Sequence, residues 1–233
     1  MIGHRGAAGL APENTLASIE IALKTGVDAI EIDVRLLENN IIVLHDETID
    51  RTTSGKGHYK SMTLGRLRAL DAGGGPIPLL QEVIELIDGR ADLHVEVKEP
   101  GIATEVIATL SDATVSRSRW RSHIVLSSFD AATTDQLAHL RNDMHLAILY
   151  EGDYDAALGK AEALGAYSIH VPLHALNAAD IGQAHQSEIR VFVYTVNDRN
   201  DINRCAEARV DGVFSDYPDR VVAFNQATLK GFP

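Results

Sequence analysis

The chain is poor in cysteine, aromatic residues and positive charge, and it has no long apolar run. A single cysteine, Cys205, among 233 residues excludes an internal disulfide. It falls in the apolar-periodic run 202–208 and reads as a helix packing residue. A nucleophile would need a positioned base, and its neighbours supply none. No stretch approaches the roughly 18 apolar residues of a membrane span. The first strand starts at Met1, which leaves no room for a secretory leader, so a cytoplasmic protein is expected. Lys and Arg number 21 against 33 Asp and Glu, a formal charge of −12 that argues against a nucleic-acid or anionic-membrane surface. No Walker loop or Gly-x-Gly-x-x-Gly motif occurs, so nucleotide binding has no support.

What is present is a regular alternation of short apolar runs with amphipathic patterns. The runs 1–4, 29–35, 41–44, 93–98, 124–128, 146–149, 168–171, 191–196 and 212–215 read as strands. Helical periodicity covers 15–24, 79–87, 103–110, 131–140, 154–164, 178–185 and 201–208. Asn14 suits the N-cap of the first helix and Gly26 its stop. This is βα alternation, which predicts a parallel sheet with helices outside. The gap from Arg35 to Ile41 is too short for a crossover helix. Asn39-Asn40 is therefore expected to turn the chain back antiparallel. Setting that return strand aside leaves eight βα units and predicts an α/β fold, a single (β/α)8 TIM-like barrel spanning 1–233. Residues 46–78 break the rhythm with Thr, Ser, Gly and Lys. An insertion of that length is expected to form a small lid over the barrel mouth.

Active sites of such barrels lie at the C-terminal ends of the strands. His4 closes the first strand, Glu31 and Asp33 lie late in the second, and Glu96 and Lys98 close the next parallel one. Ile30, Ile32 and Val34 alternate with Glu31 and Asp33, and Val95 and Val97 with Glu96 and Lys98. The charged residues are therefore expected to face the barrel interior. Three carboxylates in one cavity do not all stay ionised without a cation. An all-oxygen ligand set with room for water suits Mg2+ or Ca2+.

These motifs, His4-Arg5-Gly6, Ala11-Pro12-Glu13-Asn14-Thr15, Glu31-Ile32-Asp33, His45-Asp46-Glu47-Thr48, Arg51-Thr52-Thr53, Glu96-Val97-Lys98, Ser127-Ser128-Phe129, Val193-Tyr194-Thr195-Val196-Asn197 and Ser215-Asp216-Tyr217-Pro218, resemble the glycerophosphodiester phosphodiesterase family, in order and from residue 3 to about residue 220. The cytosolic bacterial enzymes are the most similar in flavour. The resemblance implies a TIM-like barrel with a small inserted subdomain, and metal-dependent hydrolysis of glycerophosphodiesters to sn-glycerol 3-phosphate and an alcohol. It implies Glu31, Asp33 and Glu96 as ligands of one divalent cation and His4 and His45 as an acid–base pair. Arg5 and Lys98 would hold phosphate oxygens. The chemistry agrees, since a phosphodiester needs one hydroxyl deprotonated and one alkoxide protonated near neutrality. An in-line attack by a free glycerol hydroxyl, followed by opening of a cyclic phosphate, is favoured over direct attack by water. Asn39-Asn40 replaces the family's usual Asp-Gly turn, the segment 73–78 is shortened, and Ser215 and Tyr194 stand where threonine and tryptophan are common.

Tyr194 alternates inward and is expected to wall the pocket. His170 also points inward, as a pocket or barrel-core residue, whereas His94, His123, His139, His145 and His185 are expected to be solvated. Glu13 reads as a capping residue, with support of Arg5 as its second role. The expected partner is a small-molecule glycerophosphodiester, without nucleic acid or membrane, and assembly into a homo-oligomer is left open. A lysophospholipase D or phospholipase-C-like enzyme is the enzymatic alternative, though 52–60 is polar where a lipid enzyme wants an apolar rim. A catalytically silent glycerol-phosphate-binding barrel would be expected to have lost a histidine or an acid, and none is lost. A metal-dependent aldolase would have less use for two histidines.

Overall fold

The computed structural model describes residues 1–230, apart from the side chains of 116–119 and 227–230. The chain begins with the short strand β1 (Ile2–Gly3), helix α1 (Leu16–Thr25) and the long strand β2 (Ala29–Leu37). Strand β3 (Asn40–Val43) follows, then α2 (Leu64–Arg68), α3 (Leu80–Ile87), β4 (Asp92–Val97) and α4 (Ala103–Ala113). Regular alternation continues with β5 (Ile124–Ser127), α5 (Ala131–Leu140), β6 (His145–Leu149), α6 (Tyr154–Leu164), β7 (Ser168–Pro172) and α7 (Ala178–Gln186). The chain closes with β8 (Arg190–Tyr194), α8 (Arg199–Ala208), β9 (Gly212–Ser215) and α9 (Pro218–Lys230). One sheet holds nine strands, and β1 pairs in parallel with both β2 and β9, which closes it. Without the antiparallel β3, eight parallel strands remain. The fold is a (β/α)8 barrel.

Alternation in β2 produces this geometry directly. Ile30, Ile32 and Val34 are buried against the helical layer, together with Leu80, Val83, Ile84 and Ile87 of α3 and Val95 and Val97 of β4. The opposite face turns Glu31 and Asp33 into the barrel, where both are buried. The interior is aromatic and imidazole-lined below that level. His94 and His170 stack 5.5 Å apart, with Phe192 and Phe214 edge-on to both. His94 therefore corrects the sequence expectation of a solvated residue. It is 4 % exposed, because β4 aims it into the barrel one layer beneath Glu96. His170 is a buried core residue as well as a cavity wall.

Two local readings shift. The hairpin turns at Glu38 and Asn39, both left-handed, one residue before the expected Asn39-Asn40, and Leu37 pairs with Asn40. Thr15, not Asn14, caps α1, accepting the Ser18 N–H, while Gly26 in the left-handed region ends that helix as expected. The insertion has a core of its own. Ile49, Tyr59, Leu67, Ala72 and Ile77 pack with Leu37, Ile42 and Leu44 of the hairpin. At roughly 1.5–3 kcal/mol for each large side chain, that burial is enough to order it. Cys205 is buried on α8. Among the described residues no helix is long and apolar enough to cross a membrane.

Burial holds the His170 imidazole neutral, with its pKa well below the ordinary value and the neighbouring His94 adding to the shift. The unfolded chain then takes up this proton first, so the stability is present above about pH 6.5 and falls as the pH drops below it. His170→Leu is expected to flatten the acid side of a urea-midpoint profile by up to about 1.4 kcal/mol per pH unit. Parallel profiles for the two proteins would contradict this.

Candidate active site

Gly3-His4-Arg5-Gly6 leaves β1 in a turn too tight for ordinary residues. Gly6 has φ +85°, and a Cβ there would stand 2.4 Å from the Ser18 hydroxyl. The turn also takes Arg5 into the left-handed region, so that its backbone N–H donates to Glu31 Oε2 at 2.8 Å. Register does the rest, because Asp33 of β2 pairs beside Glu96 of β4. Carboxylate oxygens of Glu31, Asp33 and Glu96 lie within 4.8 Å of one another. Two oxygens bound to one Mg2+ or Ca2+ at about 2.0–2.6 Å are separated by no more than about 5 Å, so the three fit a single ion.

The electrostatics of this cluster favour a cation. Burial, and next the negative charge of Asp33, push the Glu31 carboxyl up to about 8. The same two causes, in the same order, raise Glu96. Lys98 Nζ is 2.5 Å from Glu96 Oε1 and 3.6 Å from Asp33 Oδ1. Arg5 Nε lies 3.3 Å from Asp33 Oδ2 yet has no hydrogen-bond acceptor. Asp33 itself is clamped at two points, since Asn14 Nδ2 donates to its Oδ2 (2.8 Å) and its own N–H donates to Asn14 Oδ1 (3.2 Å). Asn14 is thus a site residue that its position before a helix disguises as a cap. Its φ of 57° marks the difference, a conformation asparagine tolerates.

Each histidine is held through Nδ1 by an aspartate. His4 Nδ1 donates to Asp216 Oδ1 at 2.7 Å, and its Nε2 lies 4.0 Å from Glu31 Oε2. Burial pulls the His4 pKa down, but the Asp216 bond and the Glu31 charge outweigh it and raise it above the ordinary value. Asn197 fixes Asp216, donating from Nδ2 to Oδ2 (2.7 Å) and accepting the Asp216 N–H (2.9 Å). His45 is delivered by the hairpin, which carries the chain past the mouth and back. The Leu44 N–H donates to the Asp33 carbonyl (2.9 Å), and Arg35 donates twice to the His45 carbonyl (3.0 and 2.7 Å). The His45 Nδ1–Asp46 Oδ1 distance is 2.6 Å. Arg51 then binds both Asp46 and Glu13, and Glu13 Oε1 accepts from Arg5 Nη1 (2.7 Å). Glu13 therefore supports Arg5, its second reading, and does not cap α1.

A cavity of about 40 Å³ reaches down from these groups, lined by His4, Glu31, Glu96 and Tyr194 above and His94, His170 and Phe214 below. Burial and the nearby Glu96 charge push the Tyr194 phenol up to about 12. All eight residues singled out in the sequence therefore stand at the C-terminal end of the barrel: His4, Arg5, Glu31, Asp33, His45, Glu96, Lys98 and Tyr194. Sequence reasoning did not assign Asn14, Arg51, Asn197 or Asp216 to the site. The signal available was their place in the matched motifs, without the partners that explain them.

Comparison with known proteins agrees with this geometry. The Glycerophosphoryl diester phosphodiesterase family model matches residues 4–220. A glycerophosphodiester phosphodiesterase of Caldanaerobacter subterraneus is 30 % identical over 95 % of this chain and 96 % of its own. One of Bacillus subtilis is 30 % identical over 94 % of this chain and 83 % of its own. In structure, an Oleispira antarctica phosphodiesterase in complex with the product sn-glycerol-3-phosphate superposes with a TM-score of 0.86 at 28 % identity, covering 99 % of this chain and 96 % of that one. A glycerophosphodiester phosphodiesterase from Agrobacterium tumefaciens superposes with a TM-score of 0.82 at 27 % identity, over 95 % and 98 % of the two chains. The family match over almost the whole chain and the shared barrel lead to one assignment: the chain belongs to the glycerophosphodiester phosphodiesterase family and is an enzyme of that kind, a phosphoric diester hydrolase.

Proposed function

We propose that the protein hydrolyses glycerophosphodiesters to sn-glycerol 3-phosphate and an alcohol, using a divalent cation and the pair His4 and His45. The observation that carries the reading is the convergence of Glu31, Asp33 and Glu96 within 4.8 Å beside the two aspartate-held histidines. Mg2+ or Ca2+ fits an all-oxygen set, and when bound it supplies positive charge against the phosphoryl oxygens. The product complex of the Oleispira antarctica relative supports glycerol phosphate as the retained half of the substrate.

The side chains divide the remaining work. Arg5 presents a planar fork suited to two phosphate oxygens, and Lys98 a point charge for one. Both cations are part-buried and lie against the acids, which balances their charge between substrates. In each histidine the Nδ1–aspartate bond orients the ring and leaves Nε2 to exchange a proton. One histidine takes the proton of the attacking hydroxyl, and the other returns one to the departing alcohol oxygen. The same pair serves attack by a glycerol hydroxyl or by water. Tyr194, half-buried beside His4, walls the space for the glycerol or alcohol moiety. The insertion 46–78 acts as a lid over the mouth, a reading supported by the reach of Arg51 to Glu13 and of the Tyr59 hydroxyl to Glu99 (2.6 Å).

His4→Ala and His45→Ala are each expected to lower kcat by at least about a hundredfold, with the fold retained by circular dichroism. Near-normal turnover in either would remove that residue from proton transfer. Release of glycerol 3-phosphate from glycerophosphocholine and glycerophosphoethanolamine is expected to stop after EDTA treatment and to return with Mg2+ or Ca2+. Persistence of full activity in EDTA would contradict the cation, and silence with both ions would contradict the substrate class.

A further inference from the structure

One guanidinium stands between the two halves of this site. Arg51, in the insertion, donates Nε to Asp46 Oδ2 (2.7 Å) and Nη2 to Asp46 Oδ1 (3.1 Å). The same side chain donates Nη1 to Glu13 Oε2 (2.5 Å) and Nη2 to Glu13 Oε1 (2.8 Å). Asp46 is the carboxylate that holds His45, and Glu13, on the loop between β1 and α1, is the carboxylate that holds Arg5. An unbroken path therefore runs His45–Asp46–Arg51–Glu13–Arg5. No other described side chain bridges Asp46 to Glu13.

A purely stabilising role fits this arrangement poorly. Arg51 is 49 % exposed, and solvent-exposed ion pairs contribute little to stability. What two bidentate contacts at one planar group do provide is direction, because both carboxylates are held with both oxygens engaged. Both also stay charged. The Arg51 bond keeps Asp46 far below the usual carboxylate range, and in Glu13 the bonds to Arg51 and Arg5 overcome the opposing effect of burial.

We propose that Arg51 is a positioning residue that couples the seating of the insertion to both the proton-transfer arm and the phosphate-binding arm of the site. It acts through Asp46 on His45 and through Glu13 on Arg5, touching neither substrate nor cation. Loss of the Arg51 contacts would release both carboxylates, and with them both arms, together. The inference rests on the phosphodiesterase reading and adds a specific, separable pair of effects to it.

The test uses the full-length enzyme with its cation and glycerophosphoethanolamine as substrate. Arg51→Met is expected to lower kcat about tenfold or more, the scale seen when the partner orienting an active-site group is lost, and to raise KM severalfold. Arg51→Lys is expected to recover little of either, since one ammonium cannot fork two carboxylates. Double-mutant cycles separate the arms. In an Asp46→Asn background Arg51→Met is expected to leave kcat unchanged further while still raising KM. In a Glu13→Gln background it is expected to leave KM unchanged further while still lowering kcat. Losses that simply add in both backgrounds, or normal kinetics in Arg51→Met, would overturn the coupling. Should Arg51→Met not fold, Arg51→Lys carries the same cycles. Wild-type turnover is the control: its absence would overturn the phosphodiesterase reading itself, whereas intact turnover with additive losses overturns only the role of Arg51.

Discussion

Repulsion among three carboxylates at the mouth of the barrel is the constraint to which the surrounding structure answers. Glu31, Asp33 and Glu96 are brought together by the parallel register of β2 and β4, and Asp33 is only 1 % exposed. Water cannot screen them, so the protein does. The Arg5 N–H and guanidinium, Lys98 and the Asn14 amide all turn toward the acids, and burial, with the charge of Asp33, still pushes the Glu31 carboxyl up to about 8. Such an arrangement is costly in isolation. In the proposed function it is a cradle whose charge would be balanced when a divalent cation and an anionic phosphodiester arrive together.

The second constraint is orientation. Two histidines lie on different segments, one at the end of β1 and one beyond the β2–β3 hairpin, and each has its own aspartate. Those aspartates are held in turn, Asp216 by Asn197 and Asp46 by Arg51. The supporting residues come from the loop after β8 and from the insertion, so the orientation of the two histidines depends on parts of the chain far from them in sequence. The antiparallel strand β3, which a plain eightfold barrel does not need, has its function here. It returns the chain to the mouth with Leu44 bonded to Asp33, and so places His45 at the level of the acids.

Much of this was legible in the sequence, for identifiable reasons. A period of two along β2 and β4 separates Val and Ile from Glu and Asp, so the inward acids follow from alternation alone. The short gap after Arg35 correctly demanded a hairpin, although two left-handed residues, Glu38 and Asn39, moved its turn by one. What stayed hidden depended on long-range partners. Asn14 looks like a helix cap because caps and carboxylate clamps use the same side-chain chemistry, and only its left-handed backbone and its contact with Asp33 distinguish them. His94 looked solvated at a strand start, yet its parity with Glu96 aims it inward, and parity outranks position along the strand. Arg51 sits in a polar loop that reads as surface until Glu13 and Asp46 are seen on either side of it. The core of the insertion was obscured by its Thr, Ser and Gly, because Ile49, Tyr59, Leu67 and Ile77 are too widely spaced to form a periodic pattern.

The central claim is that Glu31, Asp33 and Glu96 exist to hold one cation. Calorimetric titration of Mg2+ and of Ca2+ into metal-free protein tests it most directly, with Asp33→Asn as the comparison. One ion bound per chain in the wild type, and loss of that binding in the variant with the barrel still folded, is the result the account predicts. Binding of the same stoichiometry and affinity in Asp33→Asn, or no binding of either ion to the wild type, would contradict it.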